Sequence, residues 1–183
     1  MTRPLLAVDA RDAAAVLEAL RHALSGDGPA VLPFASSPEG IPAEVPRKVA
    51  LVVETSGSTG RPKRVMLSAG ALLASAAASE SALGGPGQWM LALPAHYIAG
   101  LNVLVRSLTA QVEPVLMHPE GFSAESFAHA AARLEHPRRL VETDLVHGLA
   151  PEADALHARL GGHPERGREV GVAVDVTGGQ RAQ

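Results

Sequence analysis

Residues 49–68 constrain this chain more than any other stretch. An apolar, β-branched run, Val49 to Val53, leads into Thr55-Ser56-Gly57-Ser58-Thr59-Gly60-Arg61-Pro62-Lys63, and a helix-like run begins at Ser68. The first run has the length and composition of a buried strand. The segment after it can fold backbone N–H groups and hydroxyls around phosphate oxygens, because glycines permit positive φ and close backbone approach. Lys63 adds a point charge, and Pro62 stiffens the path that delivers it. A Gly/Ser linker shares the composition. It has no use, however, for a Pro-Lys ending or for a strand running straight into it. A P-loop needs Lys directly after its last glycine, then Ser or Thr. Here Gly60 is followed by Arg61 and Pro62, so that pattern fails. The segment reads as a grip for a nucleoside triphosphate.

Composition narrows the setting. With 183 residues and 46% apolar residues, the chain suffices for one ordinary domain with a sizeable core. Aromatics make up only 3%, so Ala, Val and Leu must build that core. The net charge is −3 and no basic block stands out, which argues against nucleic acid as a partner. Cysteine is absent, which rules out disulfides and thiolate metal sites and is compatible with a cytoplasmic protein. No signal-peptide pattern and no apolar run of roughly 20 residues is present, so no membrane association is expected. His22, His118, His129, His136, His147, His157 and His163 show no zinc-ligand spacing and receive no role. Only Lys48 and Lys63 are lysines among 16 basic residues, a bias that suggests a GC-rich genome.

Along the chain, Asp9 or Asp12 can cap a first helix with Val16, Leu17, Leu20 and Leu24 on one face and Gly26 as its stop. Residues 27–47, punctuated by five prolines, read as loop. After the strand at 49–53, Ser68 caps an Ala-rich helix to about Leu83, which Gly84-Gly85-Pro86-Gly87 ends. Strands are expected near 88–93 and 113–117, and helices from Ile98 to about Thr109 and from Ser123, with Phe127, Ala131 and Leu134 facing the core. This alternation predicts an α/β layered domain with a largely parallel sheet flanked by helices. Ligands in such sheets bind along the rim at the carboxyl ends of strands. Both residues 55–63 and Pro94-Ala95-His96 follow strand ends.

The run Thr55 to Lys63 resembles the phosphate-loop signature of the adenylate-forming superfamily, the AMP-binding acyl-CoA synthetases and their relatives. Leu93-Pro94-Ala95-His96-Tyr97-Ile98-Ala99-Gly100-Leu101, with Val105-Arg106-Ser107-Leu108, is similar to the o-succinylbenzoate–CoA ligase branch of menaquinone biosynthesis. The similarity spans about residues 5 to 140. The resemblance implies ATP with Mg²⁺, a small carboxylic acid, and CoA as co-substrate. ATP and the carboxylate would form an acyl-adenylate with loss of pyrophosphate, and CoA would then displace AMP. Thr55, Ser56, Gly57, Ser58, Thr59, Gly60 and Lys63 would bind the phosphates. His96, Gly100 and Arg106 would belong to the acyl-substrate pocket, with Gly100 letting the helix start pass close to the ligand. Arg106 would pair with a second carboxylate of a dicarboxylic substrate or, read plainly, sit on a solvated helix face. Arg64 departs from the family's usual glycine after the lysine, with a modest expected effect on loop geometry.

Other family segments are missing from this sequence: a Tyr-x-x-Thr-Glu segment for adenine and Mg²⁺, a Thr-Gly-Asp segment for ribose, and a late catalytic lysine. The expected organisation is a partial N-terminal domain over 1–140 and a divergent tail over 141–183. The tail holds no Phe, Tyr, Trp, Ile, Met, Lys or Ser, while Val170, Val172, Val174 and Val176 alternate. It reads either as a short helix (about 151–160) with one strand, or as a stretch translated out of the ancestral frame. The functional expectation is a truncated ligase, inactive alone. The alternatives are a non-catalytic nucleotide-binding module, one half of a split ligase with a separately encoded C-terminal half, or a fragment that does not fold by itself.

Overall fold

The computed structural model describes residues 1–55, 63–117, 123–142 and 173–175. One sheet runs in the order β3 (Glu44–Pro46), β1 (Thr2–Asp9), β2 (Ala30–Phe34), β4 (Val49–Thr55), β5 (Lys63–Ser68). A second runs β7 (Val115–Leu116), β6 (Gln88–Leu91), β8 (Arg139–Glu142), β9 (Ala173–Asp175). In each sheet the inner neighbours are parallel, and β3, β5 and β9 pair antiparallel at the outside. The α/β class and the largely parallel, helix-flanked strands are as expected. The difference is that the strands divide between two sheets.

Local chemistry sets the helix ends. Asp12, not Asp9, caps α1 (Ala13–Ser25), accepting from the Ala15 N–H at 2.9 Å, and Gly26 closes it at φ 89°. Ser68 caps α2 (Ala69–Ala82) in the same way. Ser123 and Ser126 form a reciprocal capping box at the start of α4 (Ala124–Ala132). Buried Arg3 donates to the carbonyls of Ala23 at 3.1 Å, Val49 at 3.3 Å and Gly28. It thereby satisfies a carbonyl in the last turn of α1 and ties that turn to the first sheet.

The helix α3 (Ile98–Ala110) lies at the centre. Leu101, Val103, Leu104 and Val105 are all buried, and they share one core with Val16 and Leu20 of α1, Leu51 and Val53 of β4, and Trp89, Leu91 and Leu140 of the second sheet. A helix apolar on most sides is stable only when covered on most sides. Strand alternation assigns the other face: Met90, Val115 and Val141 point away from α3 and pack on Phe127, Ala130 and Leu134 at α4.

Two expectations need correction. Residues 27–47 are not all loop, since β2 and β3 lie within them, and β1 and β5 form where no strand was expected. In β1 and β2, Pro4 and Pro33 concealed the strands, because proline argues against a central strand. Each proline lies within one ladder, Pro4 opposite Glu44 and Pro33 opposite Val8, and past the end of the ladder on its other side. Pairing of β1 with β2 starts at Leu5, and the pairing of β2 with β4 is at Val31. In the tail, residues 173–175 pair with β8, whereas the helix expected at 151–160 lies outside the described residues. Among the described residues no helix is long and apolar enough to cross a membrane.

Replacement of Leu104 by Ala removes a fully buried side chain from the core shared by both sheets. It is expected to lower the unfolding free energy by about 2–5 kcal/mol, read from chemical denaturation.

Candidate functional site

The segment 56–62 lies outside the described residues, so Ser56, Gly57, Ser58, Thr59 and Gly60 are not placed. Its two ends are. Thr55 and Lys63 are direct partners across the antiparallel β4–β5 ladder, and the Thr55 hydroxyl donates to the Lys63 carbonyl at 3.3 Å. The segment is therefore a hairpin connection, not the strand-to-helix turn suggested by the run that follows it. Both end residues are exposed, and among the described residues no carboxylate pairs with Lys63. An ammonium in that position is available to an anion.

One residue further from the segment on each strand, Glu54 faces Arg64. The Arg64 Nε donates to Glu54 Oε1 at 2.9 Å, and its Nη1 and Nη2 donate to the carbonyls of Gly40 at 2.7 Å and Glu39 at 2.6 Å. The sequence reading missed this arrangement. Opposite charges flank the segment symmetrically, and a hairpin register converts such a pair into cross-strand neighbours.

The segment after β6 carries His96. Tyr97 donates its N–H to the Pro94 carbonyl at 3.2 Å, and Leu101 donates to the Tyr97 carbonyl at 2.9 Å, so the turn feeds directly into α3. Gly100 is buried against this turn. A Cβ on it would stand 2.5 Å from the Pro94 carbonyl oxygen and 3.2 Å from that of Leu93. The close approach that Gly100 permits is thus between helix and turn backbone, where the sequence reading expected a ligand. The half-buried His96 ring stacks obliquely on Tyr97, with centroids 4.0 Å apart. Burial pushes the imidazole below its ordinary pKa. His96 therefore presents a neutral ring at neutral pH, able to donate or accept.

Arg106 lies six residues beyond Gly100, roughly 9 Å along the helix axis. It is not on a solvated face. Its guanidinium packs over Trp89, 4.9 Å from the ring centroid, and its Nη1 meets Glu142 Oε2 at 2.5 Å. The two side chains are 11% and 4% exposed. Arg106 borders a small depression of about 220 Å³, open mouth included, shared with Glu80, Gly87, Trp89 and Leu140. Gly87 and Thr109 on its wall place it toward the start of β6 and the end of α3, away from His96. The structure brings His96 and Gly100 together and gives Arg106 a protein carboxylate instead. Among the described residues no three potential metal ligands cluster.

Comparison with known proteins adds to this geometry. The model of the AMP-binding enzyme family matches residues 5–137. Probable 2-succinylbenzoate–CoA ligases from two strains of Mycobacterium tuberculosis, CDC 1551/Oshkosh and H37Rv, are 42% identical over 158 residues, 80% of this chain and 41% of theirs. The chain thus spans about two fifths of the length of these relatives. A double mutant of o-succinylbenzoate CoA synthetase from Bacillus subtilis, bound to a product analogue, is 31% identical with a TM-score of 0.44 over 55% of this chain and 21% of that one. The same enzyme with AMP gives 24% identity and a TM-score of 0.45 over 75% and 44%.

Substitution of Gly100 by Ala must displace the Leu93–Pro94 backbone. It is expected to lower the melting temperature and to shift the His96 ring resonances in NMR spectra. His96 itself is expected to titrate below the ordinary histidine value of about 6.5. Its contribution to stability is intact above that pH and is lost as pH falls through the folded-state pKa, because the unfolded chain takes up the proton first. Denaturation of wild type and His96→Gln between pH 5 and 8 checks the sign: the acid-side loss should shrink in the variant.

Proposed function

The chain belongs to the family of AMP-binding enzymes, and from that premise we propose that it carries the triphosphate grip and part of the acyl pocket of an acid–CoA ligase of the o-succinylbenzoate type. The observation that carries this reading is the run 55–63, strung between two facing strand ends with an exposed lysine at one of them.

In the proposed reaction a substrate carboxylate oxygen attacks the α-phosphorus of ATP, forming an acyl-adenylate and releasing pyrophosphate. The CoA thiol then attacks the acyl carbon, and AMP leaves. The barrier to the first step is charge on the phosphate oxygens and their alignment, so a protein contributes mainly donors held in place. Ser56, Ser58 and Thr59 would donate hydroxyls to the β- and γ-phosphates, Thr55 would join them by turning its O–H away from the Lys63 carbonyl, and Gly57 and Gly60 would donate backbone N–H groups. Lys63 would neutralise charge on the departing pyrophosphate. Magnesium would arrive on the nucleotide, since this ion keeps water and phosphate oxygens as ligands. The neutral ring of His96 would hydrogen-bond the acyl substrate beside the turn that Gly100 holds against α3. With its charge met by Glu142, Arg106 enters this reading as a support of the pocket wall.

The residues that carry this reading bind phosphate and acyl groups, so the proposed share of the work of these 183 residues is binding. Calorimetric titration of Mg-ATP into the 183-residue polypeptide tests it. Saturable binding is expected, weakened by roughly 10- to 100-fold in Lys63→Ala, the loss of one charge-assisted contact. No binding at millimolar Mg-ATP would overturn the reading. Supplied with o-succinylbenzoate and CoA, the same polypeptide is expected to form no thioester.

A further inference from the structure

We infer that Arg64 is a positioning residue for the triphosphate grip, holding Thr55 and Lys63 through a clamp with Glu54 and the Glu39–Gly40 carbonyls. The inference rests on the nucleotide-binding reading above, but the clamp itself is built entirely of described groups. All three of its hydrogen bonds fall between 2.6 and 2.9 Å, and they use Nε, Nη1 and Nη2 of one guanidinium. Such a planar fork, once engaged at every corner, fixes its own orientation as well as its partners'. Arg64 and Glu54 are 24% and 23% exposed, so the pair is less screened than one on the open surface.

The location gives the clamp its role. Glu54 and Arg64 form the registered pair immediately inside Thr55 and Lys63. Tying that pair fixes where the next pair stands, and with it the points from which the 55 and 63 side chains project. Among the described residues β5 stands at the outside of its sheet and pairs only with β4, so its outer side offers no ladder there to hold it. The 39–40 turn supplies the missing brace. Two successive carbonyls reach the same cation there because Gly40 adopts φ 56°, a conformation that favours glycine. One side chain thereby joins β4, β5 and the connection that precedes β3.

Three variants test this: Arg64→Met keeps the stem and loses all three bonds, Arg64→Lys keeps the charge but not the fork, and Glu54→Gln keeps an acceptor without the charge. In the free polypeptide, hydrogen exchange at residues 54–55 and 63–65 is expected to quicken on the order of tenfold in Arg64→Met. Partial recovery is expected in Arg64→Lys and a smaller change in Glu54→Gln, while Leu51 and Leu104 keep wild-type rates. The dissociation constant for Mg-ATP should rise with the exchange rate across the series, again on the order of tenfold for Arg64→Met. Unchanged exchange at the strand ends overturns the clamp, and equal acceleration at Leu51 and Leu104 overturns a positioning role in favour of general destabilisation. Faster exchange with wild-type affinity overturns the link to the grip. A wild-type chain that binds no Mg-ATP sinks the nucleotide reading but not the clamp, which the exchange rates decide alone.

Discussion

Burial of α3 between the helices α1 and α2 and the second sheet is the constraint on which the rest depends. Its apolar residues are covered by α1 and α2 on one side and by β6 and β8 on another. A helix so enclosed has few ways to accommodate anything that is not apolar. Where it starts, the Leu93–Pro94 backbone comes so close that only a residue without a Cβ fits, and Gly100 occupies that position. Where it carries a charge, the charge must be met internally. A buried guanidinium without a partner would cost several kcal/mol in lost hydration, and the Trp89 face and the Glu142 carboxylate supply the compensation. The turn bearing His96 and the pair bearing Arg106 are thus both consequences of one enclosed helix.

The grip rests on different physics. In strand-to-helix phosphate loops, the dipole and free N–H groups of the helix N-terminus attract the anion. Here β5 intervenes, and α2 begins only after Ser68 has closed the hairpin. Positive potential at the connection must come from Lys63, from Arg61 within it, and from its own N–H and hydroxyl donors. A donor set of that kind is only as good as its placement, which gives the geometry of the strand ends unusual weight. The fork of Arg64 acts at the point where placement is decided, one residue inside both ends.

Much of this was legible in the sequence, and the exceptions have identifiable causes. Helices α1, α2 and α4 declared themselves because caps and breakers are local chemistry: Asp12, Ser68, Ser123 and Gly26 act within one turn of their own positions. The strand β4 was equally plain as an unbroken apolar run. By contrast β1 and β2 contain prolines tolerated only because a neighbouring ladder has ended, a fact that exists only in the sheet. The short β5, exposed on much of both faces, has no periodicity to read. For the same reason Arg106 looked like a solvated charge. Its partners, Trp89 and Glu142, are 17 and 36 residues away in sequence, and nothing local announces them. His96 was singled out through resemblance, whereas its neutral state follows from burial that no sequence pattern displays.

The outer position of β5 raises a further physical question, because an unpaired strand edge invites pairing with another chain. Val65 and Met66 point to opposite faces and are both substantially exposed, so apolar surface alone would not discourage it. The start of the strand is different in kind. Lys63 has no carboxylate partner among the described residues, and Arg64 anchors its guanidinium to the turn at 39–40, occupying space beside the strand. A charge and a cross-link at the entrance of an edge strand are among the means by which proteins blunt such edges. The two basic residues therefore serve the fold and the grip together: the lysine must stay free to meet an anion, and the arginine must stay bound for the lysine to be in the right place.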